Sequence, residues 1–207
     1  MNDTDNQRII GLTGGIATGK STVSDYLAQT YQLPILDADS YAHAAVAIDS
    51  PILTNLVQRY GPDILLPNGS LNRRQLGTII FNHSDEKHWV EQQIHPFVRQ
   101  RFTQVRSEYP PTQPLVYAIP LLFEANLTHL VSEIWVVVCT PQQQQQRLMA
   151  RNNLSQAEAQ IRITSQLPLS KKADQADQIL DNSGNRAALY RQIDTAFKLP
   201  KKINQID

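Results

Sequence analysis

An α/β fold built on a five-stranded parallel sheet is what the sequence predicts, and three observations carry it. Short apolar runs alternate with amphipathic, helix-patterned segments along most of the chain. The first run, "RIIGLTG" (8–14), feeds straight into a glycine-rich stretch and then a helical pattern. Two further helical stretches, about 41–108 and 142–175, are too long to be crossovers alone. Strands that alternate with helices pair in parallel through right-handed crossovers, which puts helices on both faces and gives three layers.

Each element has its own warrant. "RIIGLTG" is apolar enough for a strand buried on both faces. Val23, Tyr26, Leu27 and Tyr31 then recur at helical spacing. "LPILDAD" (33–39) reads as a second strand closing on two carboxylates. From there to about 108 the texture is helical and more polar, with turn signals at "GPD" and "PNGS". Val90, Ile94, Phe97, Val98 and Val105 trace one face of a long helix, which Pro96 is expected to kink or break. "PLVYAIP" (114–120) and "EIWVVVCT" (133–140) are strands rich in β-branched residues. Pro141 suits a helix first turn, and the run Gln142–Gln146 reads as a solvated helix face. "DQILDNSG" (177–184) is the fifth strand, and Leu189, Ile193 and Phe197 line a closing helix. The expected division is a core at about 1–40, 109–141 and 176–207, a helical insertion at 41–108 and a helical lid at 142–175.

Composition bounds the function. The chain has 207 residues, 41% apolar and 18% charged, the balance of an ordinary globular protein. Its 19 basic and 19 acidic residues cancel, so no global field draws it to nucleic acid or to an anionic membrane. No apolar run approaches the ~18 residues of a membrane span, and "MNDTDNQR" lacks the apolar centre of a signal peptide. The lone Cys139 sits in an apolar run and reads as a packed small hydrophobe. A cytoplasmic protein follows. Oligomeric state is not legible, and a monomer fits.

The glycine stretch "GGIATGKST" (14–22) carries the chemistry. Gly14 to Ser21 fits G-x-x-x-x-G-K-[ST] at every fixed position, between a strand and a helix as the motif requires. Bare backbone lets successive N–H groups face phosphate oxygens, and the helix N-terminus adds positive potential. Lys20 then reaches the terminal phosphates, and the Ser21 hydroxyl is a ligand for the Mg²⁺ that bridges them. Gly14, Gly15, Ala17, Thr18, Gly19, Lys20, Ser21 and Thr22 are thus candidate ATP-binding residues in a P-loop NTPase fold. A guanine-reading N-K-x-D is absent, and so is an apolar strand ending in adjacent acids, which points away from a GTPase or a motor. Phosphoryl transfer to a small molecule remains. A nucleotide-holding regulator without turnover is the rival class.

Three features suit a kinase. Asp37 and Asp39, two apart at a strand's carboxyl end, can share a face in the crevice where open α/β sheets bind ligands. One can accept a hydroxyl proton while the other holds Mg²⁺ through water; an aspartate helix cap is the plainer alternative for either. Arg147 and Arg151, four apart on one helix face, can clamp transferring phosphates when a lid closes. In "DNSG" (181–184), Asn182 and Gly184 can border an adenine, or form a plain strand-exit turn.

These pieces together resemble the dephospho-coenzyme A kinase family. The resemblance runs nearly end to end, through "IIGLTGGIATGKSTV", "LDADSYAH", "RYGPDIL", "GSLNRRQLGTIIF", "IHPFVR", "IPLLFEANL", "QRLMARNNLSQAEAQIRI" and "QLPLSKKADQADQILDNSG". It implies ATP- and Mg²⁺-dependent phosphorylation of the ribose 3′-hydroxyl of dephospho-CoA, with Asp39 as base and Lys20 and Arg147 stabilising charge. It also implies that His43, Arg73, His95 and Glu124 line or shape the acceptor side. Plainer roles fit each as well: structural histidines, an internal salt bridge and a helix cap. A nucleoside or nucleoside monophosphate kinase shares the core and lid logic and is the alternative. The chain departs from the family in Ala17 and Thr18, where Gly-Ser is usual. It also has Ala118 where an aspartate is common, which shifts Mg²⁺ to Ser21 and Asp37, and Asn72 where an aspartate commonly precedes the matching arginine.

Overall fold

The computed structural model describes residues 7–199. The polar start at 1–6 and the tail "KKINQID" (201–207), which carries no readable motif, lie outside the described residues. Five strands, β1 (Ile9–Gly14), β2 (Ile35–Asp37), β3 (Leu115–Ala118), β4 (Glu133–Val138) and β5 (Gln178–Asp181), pair in parallel in the order β2-β3-β1-β4-β5. The helices are α1 (Lys20–Tyr31), α2 (Ala38–Ala45), α3 (Pro51–Tyr60), α4 (Arg73–Asn82) and α5 (Ser84–Ser107). They continue with α6 (Pro141–Asn152), α7 (Gln156–Thr164), α8 (Leu169–Ala173) and α9 (Arg186–Lys198). The chain divides into two compact units: the residues up to Asp37 together with those from Tyr109 onward, and residues 38–108.

In the sheet unit, every residue of β1 and of β3 is buried, as expected of strands covered on both faces. Ile10, Leu12, Val116, Trp135, Val137 and Leu180 form the sheet's share of one core; Val23 and Leu27 of α1 and Leu189, Ile193 and Ala196 of α9 close over it. Each full burial is worth about 1.5–3 kcal/mol. The hydroxyls of Tyr26 and Tyr31 both donate to Asp194 Oδ1, at 2.9 and 2.8 Å, and so tie α1 to α9. Burial and this carboxylate push the Tyr31 phenol up to about 12. Cys139 is buried as expected, and burial pushes its thiol up.

The helical unit has its own core of Leu53 and Leu56 (α3), Leu76 (α4) and Val90 (α5), with Val46, Ile64 and Leu71. Ser50 caps α3 by accepting the Leu53 N–H at 3.0 Å ahead of Pro51. Asn72 caps α4 by accepting from Gln75 N at 3.1 Å. Asparagine caps as well as aspartate does, so the departure at position 72 keeps the helix start.

Three expectations are corrected. Pro96 does not break the helix, one of the two outcomes expected of it: it lies inside α5, which is continuous over 24 residues. The buried positions Val90, Val98 and Phe102 lie on both sides of Pro96, so packing outweighs the one missing N–H. The second strand stops at Asp37, and Asp39 sits in the first turn of α2, where the helix N-terminus favours an acid. The two carboxylates therefore do not share a strand face. The glutamine run is not simply a solvated face either, because Gln144 is 6% exposed and both it and Gln143 bond to loops of the sheet unit.

Candidate active site

The loop between β1 and α1 has the curvature its sequence predicts. Gly19 (φ +102°) hands the chain to α1. The Asn182 side-chain amide lies against its Cα and leaves no room for a Cβ, so the position requires glycine on both counts. Ala17 takes φ +60° as an alanine, which costs about 1–2 kcal/mol. Thr18 is fully buried; its hydroxyl donates to Gly15 O at 2.9 Å and its carbonyl accepts from Asn182 Nδ2 at 2.8 Å. Lys20 and Ser21 open α1, whose first-turn N–H groups lack the acceptor four residues back; that of Thr22 instead bonds to Gly19 O at 3.0 Å.

Facing the start of α1 is a cavity of about 250 Å³ lined by Gly19, Thr22, Arg147, Asn182, Gly184 and Arg186. Arg147 comes from α6, whose Thr140 capping box and Pro141 fix its start. Its Nη2 donates to Asn182 O at 3.0 Å, Nη1 is buried without a nitrogen or oxygen partner, and the guanidinium also lies beside the buried Cys139 thiol, which it pulls against the upward push of burial. Gln143 Nε2 holds the adjoining Ser183 carbonyl at 2.8 Å. A buried guanidinium nitrogen left short of an acceptor is costly, so Arg147 is a candidate to take one from a ligand in this cavity.

Four predicted nucleotide residues thus meet in one place: Gly19, Thr22, Asn182 and Gly184, with Arg147 among them. Arg151 does not join them. It is exposed and bonds to Asn152 Oδ1 at 2.9 Å. Arg186, the first residue of α9, was not singled out from the sequence, since an arginine opening a helix carries no motif. Lys172 was missed as well. It is 0% exposed and pairs with Glu124 Oε1 at 2.9 Å, and its ammonium also donates to Pro120 O at 3.1 Å. Glu124 Oε1 accepts the Leu167 N–H too, at 3.0 Å, so this carboxylate is committed inside the sheet unit.

Of the metal candidates, Ser21 is exposed at the start of α1 and Asp37 is half-buried at the carboxyl end of β2. No group of three or more His, Cys, Asp or Glu suited to a metal occurs among the described residues. One hydroxyl and one carboxylate are a set that suits Mg²⁺ held mainly by substrate phosphates and water, rather than a protein-only cage.

The helical unit carries the rest. Asp39 and His43 lie exposed in the first and last turns of α2. Arg73 begins α4, where desolvation pulls its guanidinium below the ordinary range. His95 is half-buried in α5, which packs on α2, and desolvation lowers its imidazole pKa.

The family model described as CoaE, dephospho-CoA kinase, matches residues 8–188. The chain belongs to that family. It is 58% identical over 192 residues to the dephospho-CoA kinase of Nostoc sp. PCC 7120, covering 92% of this chain and 97% of the relative. With the Synechocystis sp. PCC 6803 dephospho-CoA kinase it shares 56% over 191 residues, or 92% and 95% of the two chains. Among solved structures, TT1252 from Thermus thermophilus superposes with TM-score 0.80 at 30% identity, covering 93% of this chain and 97% of that one. The Campylobacter jejuni dephospho-CoA kinase does so with TM-score 0.65 at 25% identity, covering 91% and 94%. The five-stranded P-loop kinase fold and the family resemblance read from the sequence are both borne out.

Proposed function

We infer how this member of the dephospho-CoA kinase family performs the last step of coenzyme A synthesis, ATP-dependent phosphorylation of the ribose 3′-hydroxyl of dephospho-CoA. The observation that supports the reading is the Arg147 guanidinium, bonded to Asn182 O through Nη2 and buried at Nη1 without an oxygen acceptor, among the residues that line the cavity at the start of α1. ATP bound there gives that nitrogen an acceptor. Gly14 to Thr22 hold the phosphates, and Asn182 and Gly184 border the base.

Asp39 takes the proton from the 3′-hydroxyl. The freed oxygen forms a bond to the γ-phosphorus as the bond from that phosphorus to the β–γ bridging oxygen breaks, and ADP leaves with that oxygen. Lys20 and Arg147 stabilise the charge that gathers on the γ-phosphoryl oxygens; their contribution is positioning and electrostatics. Ser21 and Asp37 would hold Mg²⁺, which would supply positive charge to offset that of the ATP phosphates. His43, Arg73 and His95 orient the acceptor, and Glu124 shapes its side of the site through Lys172. A cytoplasmic location belongs to the same proposal; no described helix is long and apolar enough to cross a membrane.

The test is ADP release with dephospho-CoA against a panel of nucleosides and nucleoside monophosphates. Dephospho-CoA is expected to be the best acceptor, and preference for any panel member overturns the substrate assignment. Asp39→Asn is expected to lower kcat by about 10²–10⁴-fold, the range for a lost general base; unchanged turnover assigns the proton to another group.

A further inference from the structure

We propose that Gln144 and Gln166 are positioning residues that grip the phosphate loop at Ile16 from two sides, with Lys172 anchoring the loop's first carbonyl. The proposal rests on the reading of Gly14–Ser21 as the ATP site. Gln166 Oε1 accepts the Ile16 N–H at 2.8 Å, and Gln144 Nε2 donates to the Ile16 carbonyl at 2.8 Å. A peptide N–H demands an acceptor and a carbonyl demands a donor, so the partners themselves fix which way each amide points. Both peptide units of Ile16 are thereby pinned, one by α6 and one by the segment between α7 and α8.

The neighbours fit this grip. A Cβ at Gly15 would lie 2.6 Å from Gln144 Nε2, so the glycine keeps the passage open for the amide. Ala17, the next residue along, holds its left-handed φ of +60°. A strained dihedral persists where its surroundings over-determine it, and the two amides do so on one side while buried Thr18 does so on the other. Lys172 Nζ lies 3.5 Å from Gly14 O as well as on Pro120 and Glu124. Glu124 in turn accepts the N–H of Leu167, next to Gln166. The stretch 166–172 is thus fastened to the loop at Gly14 and at Ile16. Loop N–H groups held in place before the nucleotide arrives lose less freedom on binding and meet the transferring charge without reorganising.

The two glutamines have opposite hydrogen-bonding roles, and that gives an asymmetric test in the full-length chain. Gln166→Glu keeps an acceptor for the Ile16 N–H. Gln144→Glu replaces a donor by a second acceptor facing the Ile16 carbonyl. Both add one negative charge beside the same residue, so the comparison holds the size and sign of the added charge fixed. The grip predicts that Gln166→Glu binds MgATP about fivefold to tenfold more tightly than Gln144→Glu, the worth of one net hydrogen bond. Gln166→Leu should also bind more weakly than Gln166→Glu. Isothermal titration calorimetry reads the affinity, and steady-state kinetics should show the loss in KM for ATP while KM for dephospho-CoA holds.

Equal affinities for the two Glu variants overturn the proposal, as does a loss confined to the thermal midpoint. Should Gln144→Glu fail to fold, the Gln166 pair decides: Leu weaker than Glu supports the grip, and parity refutes it. A wild-type chain that takes up no MgATP in the same titration removes the loop assignment itself, a result distinct from failure of the grip.

Discussion

Single residues set the phosphate loop. Lys20 is the one cationic side chain in residues 14–22; in the proposed role beside the γ-phosphoryl group, Lys20→Ala should cost about 3–4 kcal/mol of transition-state stabilisation, seen as a fall in kcat. Wild-type-like turnover would contradict the loop assignment. Ala17 offers a finer check. Its φ of +60° costs an alanine about 1–2 kcal/mol, whereas a glycine there costs about 0.4–1 kcal/mol through the freedom it adds to the unfolded chain. Relief of strain matches or outweighs that added freedom, so Ala17→Gly should leave stability unchanged or raise it by up to ~1.6 kcal/mol in urea denaturation. A marked loss would mean that the left-handed geometry is not strained here. The residue scale was partly legible. The fixed positions of the loop, Arg147, Asn182 and Gly184 announced themselves by type and spacing. Lys172, Gln144 and Gln166 did not, because a buried lysine or glutamine is recognised by its partners and not by its neighbours in sequence.

Among the elements, α3 and α5 of the helical unit are joined by a charged cluster. Arg59 donates to both oxygens of Glu86 at 2.7 and 2.9 Å, Tyr60 adds its hydroxyl at 2.7 Å, and the Arg59 guanidinium lies 4.5 Å from the centre of the Trp89 ring. These bonds hold the Glu86 carboxyl down at about 2, below its ordinary 4.5. With the folded value below the unfolded one, the stabilisation is present above 4.5 and drains away as pH falls toward 2. Glu86→Gln should therefore lower the thermal midpoint at neutral pH, with the gap from wild type closing across that acid window. A gap that stays constant with pH would assign the effect to packing. Capping makes a second prediction: Asn72→Ala should cost about 1 kcal/mol through the lost start of α4, and Asn72→Asp close to nothing. Elements were the most legible scale, since apolar period and punctuation name them. The exceptions have physical causes. Pro96 was outvoted by buried residues on either side of it, and Asp39 was drawn into α2 by a helix start that the apolar pattern of the strand concealed.

For the whole molecule, fold and activity follow from one arrangement: β1 at the centre of a parallel sheet, the phosphate loop leaving its carboxyl end, and α6 bringing Arg147 to the same cavity. The sheet order β2-β3-β1-β4-β5 could not be read from the sequence, because strand order depends on contacts distant along the chain, while strand number and parallel pairing could. Ligand linkage belongs to this scale. MgATP at a hundred times its Kd should stabilise the fold by about 2.7 kcal/mol, and, with Arg147 in its proposed role, Arg147→Met should abolish most of that gain. The most direct test is the product of one reaction. With ATP and dephospho-CoA supplied, phosphorus and proton NMR should show a phosphomonoester on the ribose 3′-oxygen, formed in step with ADP. Inorganic phosphate in place of that ester, or an ester on any other oxygen, would contradict the account.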